Sequence, residues 1–280
     1  MAIYSLRMSV ISRSKGRSAT AAAAYRSGEK IYDERTGETH DYTRKGSIYS
    51  SEIIAPKNTP DWVQDRSKLW NKVERVERRK DSQLAREVTI ALPVELSPTQ
   101  RQELTREYVQ AQFVDQGMVA DVAYHDFETN NPHTHVMLTM RHIDEKGFGK
   151  KNRNWNQRQR LEHQREAWAE YANRALKQVE CDQKIDHRSL EDQGIDRVPQ
   201  IHLGAKVLEM EARGIRTRVG DESRRISNIN RQLKYLELER QKAVQEIKTE
   251  LTSEQAKERE ASTQPTPPIR EKSRGFDLER

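Results

Sequence analysis

The sequence predicts an α+β fold, a two-layer sandwich on a central antiparallel sheet, followed by an extended helical tail. Three observations carry this. Residues 3–10, 86–92, 118–127 and 133–143 read as strands, several with the two-residue apolar/polar alternation of a half-buried strand. Segments with helical spacing interrupt them, while the last two strands are joined only by Glu128-Thr129-Asn130-Asn131-Pro132, short enough for an antiparallel hairpin. Finally, 34% of the 280 residues are charged and only 34% are hydrophobic. That is too polar for one shared core, so the chain divides into a globular domain over 1–205, a charged helical extension over 206–251 and a disordered tail over 252–280.

The elements follow in order. In IYSLRMSV, Tyr4, Leu6, Met8 and Val10 alternate with Ser5, Arg7 and Ser9. After a basic turn, Ser18 caps a helix through the alanines and Tyr25 that ends near Gly28. Residues 29–58 read as loop or short hairpin. Thr59-Pro60-Asp61 has a cap, a first-turn proline and an acid at the positive end, and opens a helix to about residue 79. REVTIAL at 86–92 is a strand stopped by Pro93, and Ser97-Pro98 opens a helix closed by Gly117. DEKGFGKK is a turn, residues 156–179 a helix, and 182–204 irregular. Ile226, Ile229, Leu233 and Leu236 begin a heptad seam that Arg240 and Glu250 weaken.

No apolar run approaches the ~20 residues of a spanning helix, so an integral membrane helix is not expected. No secretory signal is visible at the N-terminus, and the single cysteine, Cys181, excludes an internal disulfide or a Cys-based zinc site. The cytoplasm is the expected compartment. The net charge of +6 is compatible with a polyanionic partner.

Alternation sorts the strands into an apolar face and a polar face. The polar face collects Arg7, Glu87, Asp121, His125, His133 and His135. His133 and His135 project in parallel from one strand, and His125 stands on its neighbour. Three neutral imidazoles on one surface make a site for a divalent ion with coordination positions left open, as catalysis needs. Glu87 either orients one of these imidazoles or accepts a proton. Such a metal grips a phosphate oxygen and requires a nucleophile. Tyr25 stands out for its setting, after an alanine-rich turn that allows close approach and before Arg26-Ser27-Gly28. A phenol titrates only near pH ~10 and therefore attacks with the help of a base or a metal-held phosphate.

Basic residues cluster beside this site. Residues 141–160 carry seven Lys or Arg against two acids, a net of +5, and residues 213–234 carry the same balance. Phe148 and Trp155 interleave with the first cluster, as a single-strand groove with stacking platforms requires. Arg7, Arg17, Arg26, Lys150, Lys151, Arg153 and Trp155 are the candidate DNA-binding residues.

The motifs resemble the MobA/MobL plasmid mobilisation relaxases of the HUH endonuclease superfamily. The resemblance rests on SATAAAAYRSGEK around Tyr25, REVTIALP at 86–93, HDFETNNPHTHVMLTMR at 125–141 and DHRSLEDQGIDRVPQIHLG at 186–204. It implies a relaxase that nicks and religates one strand at a plasmid origin of transfer through a 5′-phosphotyrosine. Tyr25 matches the nucleophile and His125, His133 and His135 the metal triad. Glu87 is implied to assist the tyrosine or the triad, and Asp126 to help orient a ligand. Mg²⁺ or Mn²⁺ is the implied ion. The implied partners are single-stranded transfer-origin DNA, relaxosome accessory proteins and a type IV secretion coupling protein. Two alternatives remain: an HUH-type replication initiator or transposase-like nickase, and a non-catalytic DNA-binding accessory protein.

Overall fold

In the computed structural model, which describes residues 4–262, five strands form one sheet. They are β1 (Leu6–Ser12), β4 (Ile48–Ile54), β5 (Gln83–Ala91), β6 (Ala120–His125) and β7 (His133–Thr139), in the order β1-β5-β7-β6-β4. Every neighbouring pair is antiparallel. Two hairpins stand apart from it: β2 (Lys30–Asp33) with β3 (Glu38–Asp41), and β8 (Arg141–Asp144) with β9 (Gly147–Lys151). The α+β class and the antiparallel sheet are therefore as expected.

Helices α3 (Pro98–Gln112) and α4 (Arg158–Gln178) cover one face of the sheet. Val88, Ile90, Val122, Tyr124, Val136 and Leu138 pack there against Leu104, Tyr108, Trp168, Ala172 and Leu176. The other face was expected to be polar and open, and over part of its length it is not. Helices α1 (Ala19–Ser27) and α2 (Arg66–Val76) pack Ala19, Ala23, Ala24, Leu69 and Trp70 onto Ile11, Ala85 and Met137. Asp121, on that face, is buried: it accepts hydrogen bonds from Arg66 at 2.9 Å and from the Trp70 indole at 2.7 Å. A buried carboxylate is tolerable because those donors compensate it.

Helix α1 is pinned at both ends. Ser18 caps it by accepting from the Ala21 N–H, and the Ala19 N–H donates to buried Glu74 at 2.7 Å. Asp33, fully buried, accepts from Ser18 and Thr20 at 2.9 and 2.6 Å. Two acids thus sit at the positive end of the helix. Gly28 ends it at φ +69°, a conformation that favours glycine, and a side chain there would collide with Ile48.

Several local expectations change. Residues 48–54, read as loop or hairpin, form the edge strand β4. The helix expected from Thr59 is instead a 3₁₀ turn at Asp61–Gln64, followed by α2, which Asp65 caps. The turn at 144–151 belongs to the β8–β9 hairpin.

The chain separates into two compact units between Arg188 and Ser189, earlier than the expected boundary at 205. The first closes where Asn173 holds both backbone groups of Ile185, at 2.8 and 2.9 Å. The second contains α5 (Ala205–Ala212) and α6 (Arg218–Ser262). Within it, Asn230 bonds both backbone groups of Val198. Helix α6 runs through residue 252, where a disordered tail was expected to begin; the rest of that expected tail, 263–280, lies outside the described residues. Among the described residues, no helix is long and apolar enough to cross a membrane.

Candidate active site

Register brings the histidines together. His125 on β6 is the direct partner of His133 on β7, and His135 lies across from Thr89 on β5. The three ring centroids are 5.0–5.4 Å apart. One ligand-capable nitrogen from each lies within 4.8 Å of the others. On each ring one nitrogen has an oxygen partner. His125 Nε2 meets the Arg26 carbonyl at 2.7 Å, His133 Nδ1 the Asn131 carbonyl at 2.9 Å, and His135 Nδ1 a Glu87 oxygen at 3.1 Å. Carbonyl and carboxylate oxygens only accept, so these partners assign the protons to those nitrogens. That leaves lone pairs on His125 Nδ1 and on Nε2 of His133 and His135. A divalent cation takes such a donor set, and hydrogen bonds on the opposite nitrogens orient the rings for it. Burial pushes His125 down to about 3 and also lowers His135, which keeps both rings neutral and able to ligate at neutral pH.

Glu87 ties this cluster to α1. Burial alone would raise its carboxyl, but the His135 hydrogen bond and the Arg26 guanidinium hold it at about 2. Its Oε1 accepts from Arg26 Nε at 2.5 Å and its Oε2 from Ser9 at 3.2 Å. A carboxylate so engaged orients its neighbours and is a poor proton acceptor.

Tyr25 lies in the last turns of α1, half exposed, directly before the residue whose carbonyl holds His125. With Arg7, Arg17, Arg26, Glu87, Thr89 and His135 it lines one open cavity of about 490 Å³. Two groups border its ring that the sequence reading did not single out. Tyr42 meets it edge-on at 5.2 Å, and the Lys45 ammonium stands 3.7 Å above it. They lie in a stretch read as loop, where no period marked them. Asp126 has φ +53° and a carboxylate 3.7 Å from His133.

Lys150, Lys151 and Arg153 are not brought to this cavity. Lys151 donates to Glu77 at 3.0 Å and to the Gln83 carbonyl at 2.6 Å. Gln83 is at the other end of β5 from Thr89, ~20 Å along the strand. Lys150 and Arg153 are exposed on the neighbouring segment. Trp155 requires a correction: it is only 2% exposed and packs into the core beneath α3 and α4, so it offers no stacking face. Its charged sequence neighbours stay outside while a 3₁₀ turn at Arg153–Asn156 carries the indole inward.

Known proteins resemble this chain over most of its length. The MobA/MobL family model matches residues 17–213. The chain is 40% identical over 266 residues to the mobilization protein MobL of Acidithiobacillus ferridurans, covering 83% of this chain and 68% of that protein. It is 39% identical over 270 residues to the conjugal transfer protein TraA of Rhizobium radiobacter, but spans only 24% of its length. A solved structure from work on the molecular basis of vancomycin resistance transfer in Staphylococcus aureus is 34% identical, with a TM-score of 0.64, covering 67% of this chain and all of that one. On the extent and identity of these matches, the chain belongs to the MobA/MobL family.

Proposed function

We propose that this chain is a metal-dependent DNA relaxase that nicks and reseals one strand at a plasmid origin of transfer. The observation that carries this reading is the junction of α1 with the histidines: Tyr25 and His135 line one cavity, and the residue after Tyr25 holds His125. The first compact unit is the nicking domain, and the charged helical segment after it is an extension.

Arg7, Arg17 and Arg26, exposed or part-exposed around the cavity, bind the phosphates of a single strand. A divalent ion, Mg²⁺ or Mn²⁺, held by His125, His133 and His135 would supply positive charge to the scissile phosphate. The Tyr25 phenol oxygen bonds to phosphorus, the bond from phosphorus to the 3′ oxygen breaks, and the phenol proton is replaced by one on the departing 3′-hydroxyl. A 5′-phosphotyrosine results. No water is consumed, so the 3′-hydroxyl can attack in reverse and reseal the strand. Glu87 keeps His135 and Arg26 in place throughout. Relaxosome accessory proteins and a type IV secretion coupling protein are the partners such an enzyme serves, and the cytoplasm is where it meets plasmid DNA.

The test is incubation of the full chain with labelled single-stranded transfer-origin oligonucleotides and Mn²⁺, read on a denaturing gel. A protein-linked DNA band that disappears with a chelator is expected. Adducts formed only on replication-origin DNA would replace this reading with an initiator nuclease. Binding with no adduct on either DNA would leave an accessory protein.

A further inference from the structure

Tyr25 is 49% exposed at the end of its helix, so core packing does not fix its side chain. What brackets the ring is the loop after β3. Its turn is well anchored: Asp41 Oδ1 accepts from the backbone and hydroxyl of Thr43, the Tyr42 N–H donates to the Glu29 carbonyl, and the Lys45 N–H donates to the Tyr42 carbonyl. From this turn Lys45 reaches back to α1. Its ammonium donates to the Tyr25 carbonyl at 3.0 Å and stands 3.7 Å from the ring centroid, while Tyr42 closes the ring's edge.

The placement is costly for a lysine. Among the described residues Lys45 makes no ion pair, and burial together with the charge of nearby Arg26 lowers its pKa, against the weaker pull of Asp126. Charge balance therefore does not explain it. Contact with the ring and carbonyl of one residue does.

We infer that Lys45 is a positioning residue for Tyr25, holding the phenol in the orientation that meets the scissile phosphate. This rests on Tyr25 being the nucleophile. An attacking oxygen must be presented in line, and small misplacements cost much of the rate. Lys45 acts through the ring it holds, so DNA affinity does not depend on it.

The experiment compares the wild-type chain, Lys45→Met and Lys45→Arg. Under single-turnover conditions with Mn²⁺, K45M is expected to nick a transfer-origin oligonucleotide about 10- to 100-fold more slowly. Its affinity for an uncleavable oligonucleotide, and the salt dependence of that affinity, stay at wild-type values. K45R recovers most of the rate, because a guanidinium also stacks on an aromatic face; this separates positioning from a general loss of structure. A second readout needs no DNA: the Lys45 ε-methylene protons are shifted upfield by the Tyr25 ring, and Tyr25→Leu abolishes the shift. Wild-type nicking by K45M, a weaker and less salt-dependent affinity, or unshifted methylene protons would each overturn the inference. Absence of any adduct from the wild type would instead defeat the relaxase reading, and the proton shift would still decide whether Lys45 holds the ring.

Discussion

Glu87→Gln is the most informative single change to the histidine cluster. The substitution is isosteric, so the side-chain oxygen that accepts from both Arg26 and His135 can remain where it is. The amide that replaces Oε2 faces Ser9, whose hydroxyl can accept instead of donate. What is lost is charge. The pair is shielded, with side-chain exposures of 15% for Arg26 and 9% for Glu87. Charge-assisted bonds are roughly twice as strong as neutral ones, so two of them weakening by about 1 kcal/mol each gives a loss of about 2 kcal/mol. Part of that falls on the orientation and basicity of His135. Losing such an outer partner costs a metal site about 10- to 100-fold in affinity, equivalent to ~1.4–2.7 kcal/mol. Calorimetric titration of Mn²⁺ into the metal-free full chain should show that weakening, with the variant still folded. Mn²⁺ affinity within about twofold of wild type would refute the claim that Glu87 orients His135 for a metal.

Three further outcomes are expected. Trp155→Ala should cost about 3–5 kcal/mol in urea unfolding, as deletion of a buried indole does; reduced oligonucleotide affinity with unchanged stability would restore the stacking role that its burial denies. Burial holds His125 at about 3 in the folded state against ~6.5 when unfolded. Between those values the unfolded chain binds more protons, so His125's contribution to the stability of the metal-free protein is fully present above about pH 6.5 and is lost as pH drops towards 3. His125→Asn should flatten that loss, and equal slopes in both proteins would contradict it. Asp33→Ala should destabilise by about 1–3 kcal/mol, because Ser18, Thr20 and two backbone N–H groups lose their buried acceptor. Nicking should fall with it through displacement of α1, and an unchanged thermal midpoint would argue that the acid does not pin the helix.

The parts of this site that were legible in the sequence are those set by local rules. Ser18 and Gly28 bound α1 as expected, and strand alternation was enough to put His125, His133, His135 and Glu87 on one face. The parts that were not legible depend on distant pairing. Residues 48–54 carry no clean alternation, and they become a strand only because β6, some seventy positions later, supplies their hydrogen bonds. The second helical layer was hidden because alanines on α1 do the packing and a salt-bridged Asp121 sits beneath α2. Trp155 misled because its neighbours are charged, although side-chain direction rather than local composition decides its burial. Lys45 and Tyr42 had no periodic signal at all; only the folded loop sets them on Tyr25.

The account stands on one phenol oxygen reaching a phosphate held beside three imidazoles. The direct measurement is mass spectrometric mapping of the peptide that remains bound to DNA after the full chain has reacted with a transfer-origin oligonucleotide and Mn²⁺. The modified residue should be Tyr25, with the oligonucleotide attached through its 5′ phosphate and no adduct from Tyr25→Phe. Attachment at another residue such as Tyr32, or through a 3′ phosphate, would contradict it.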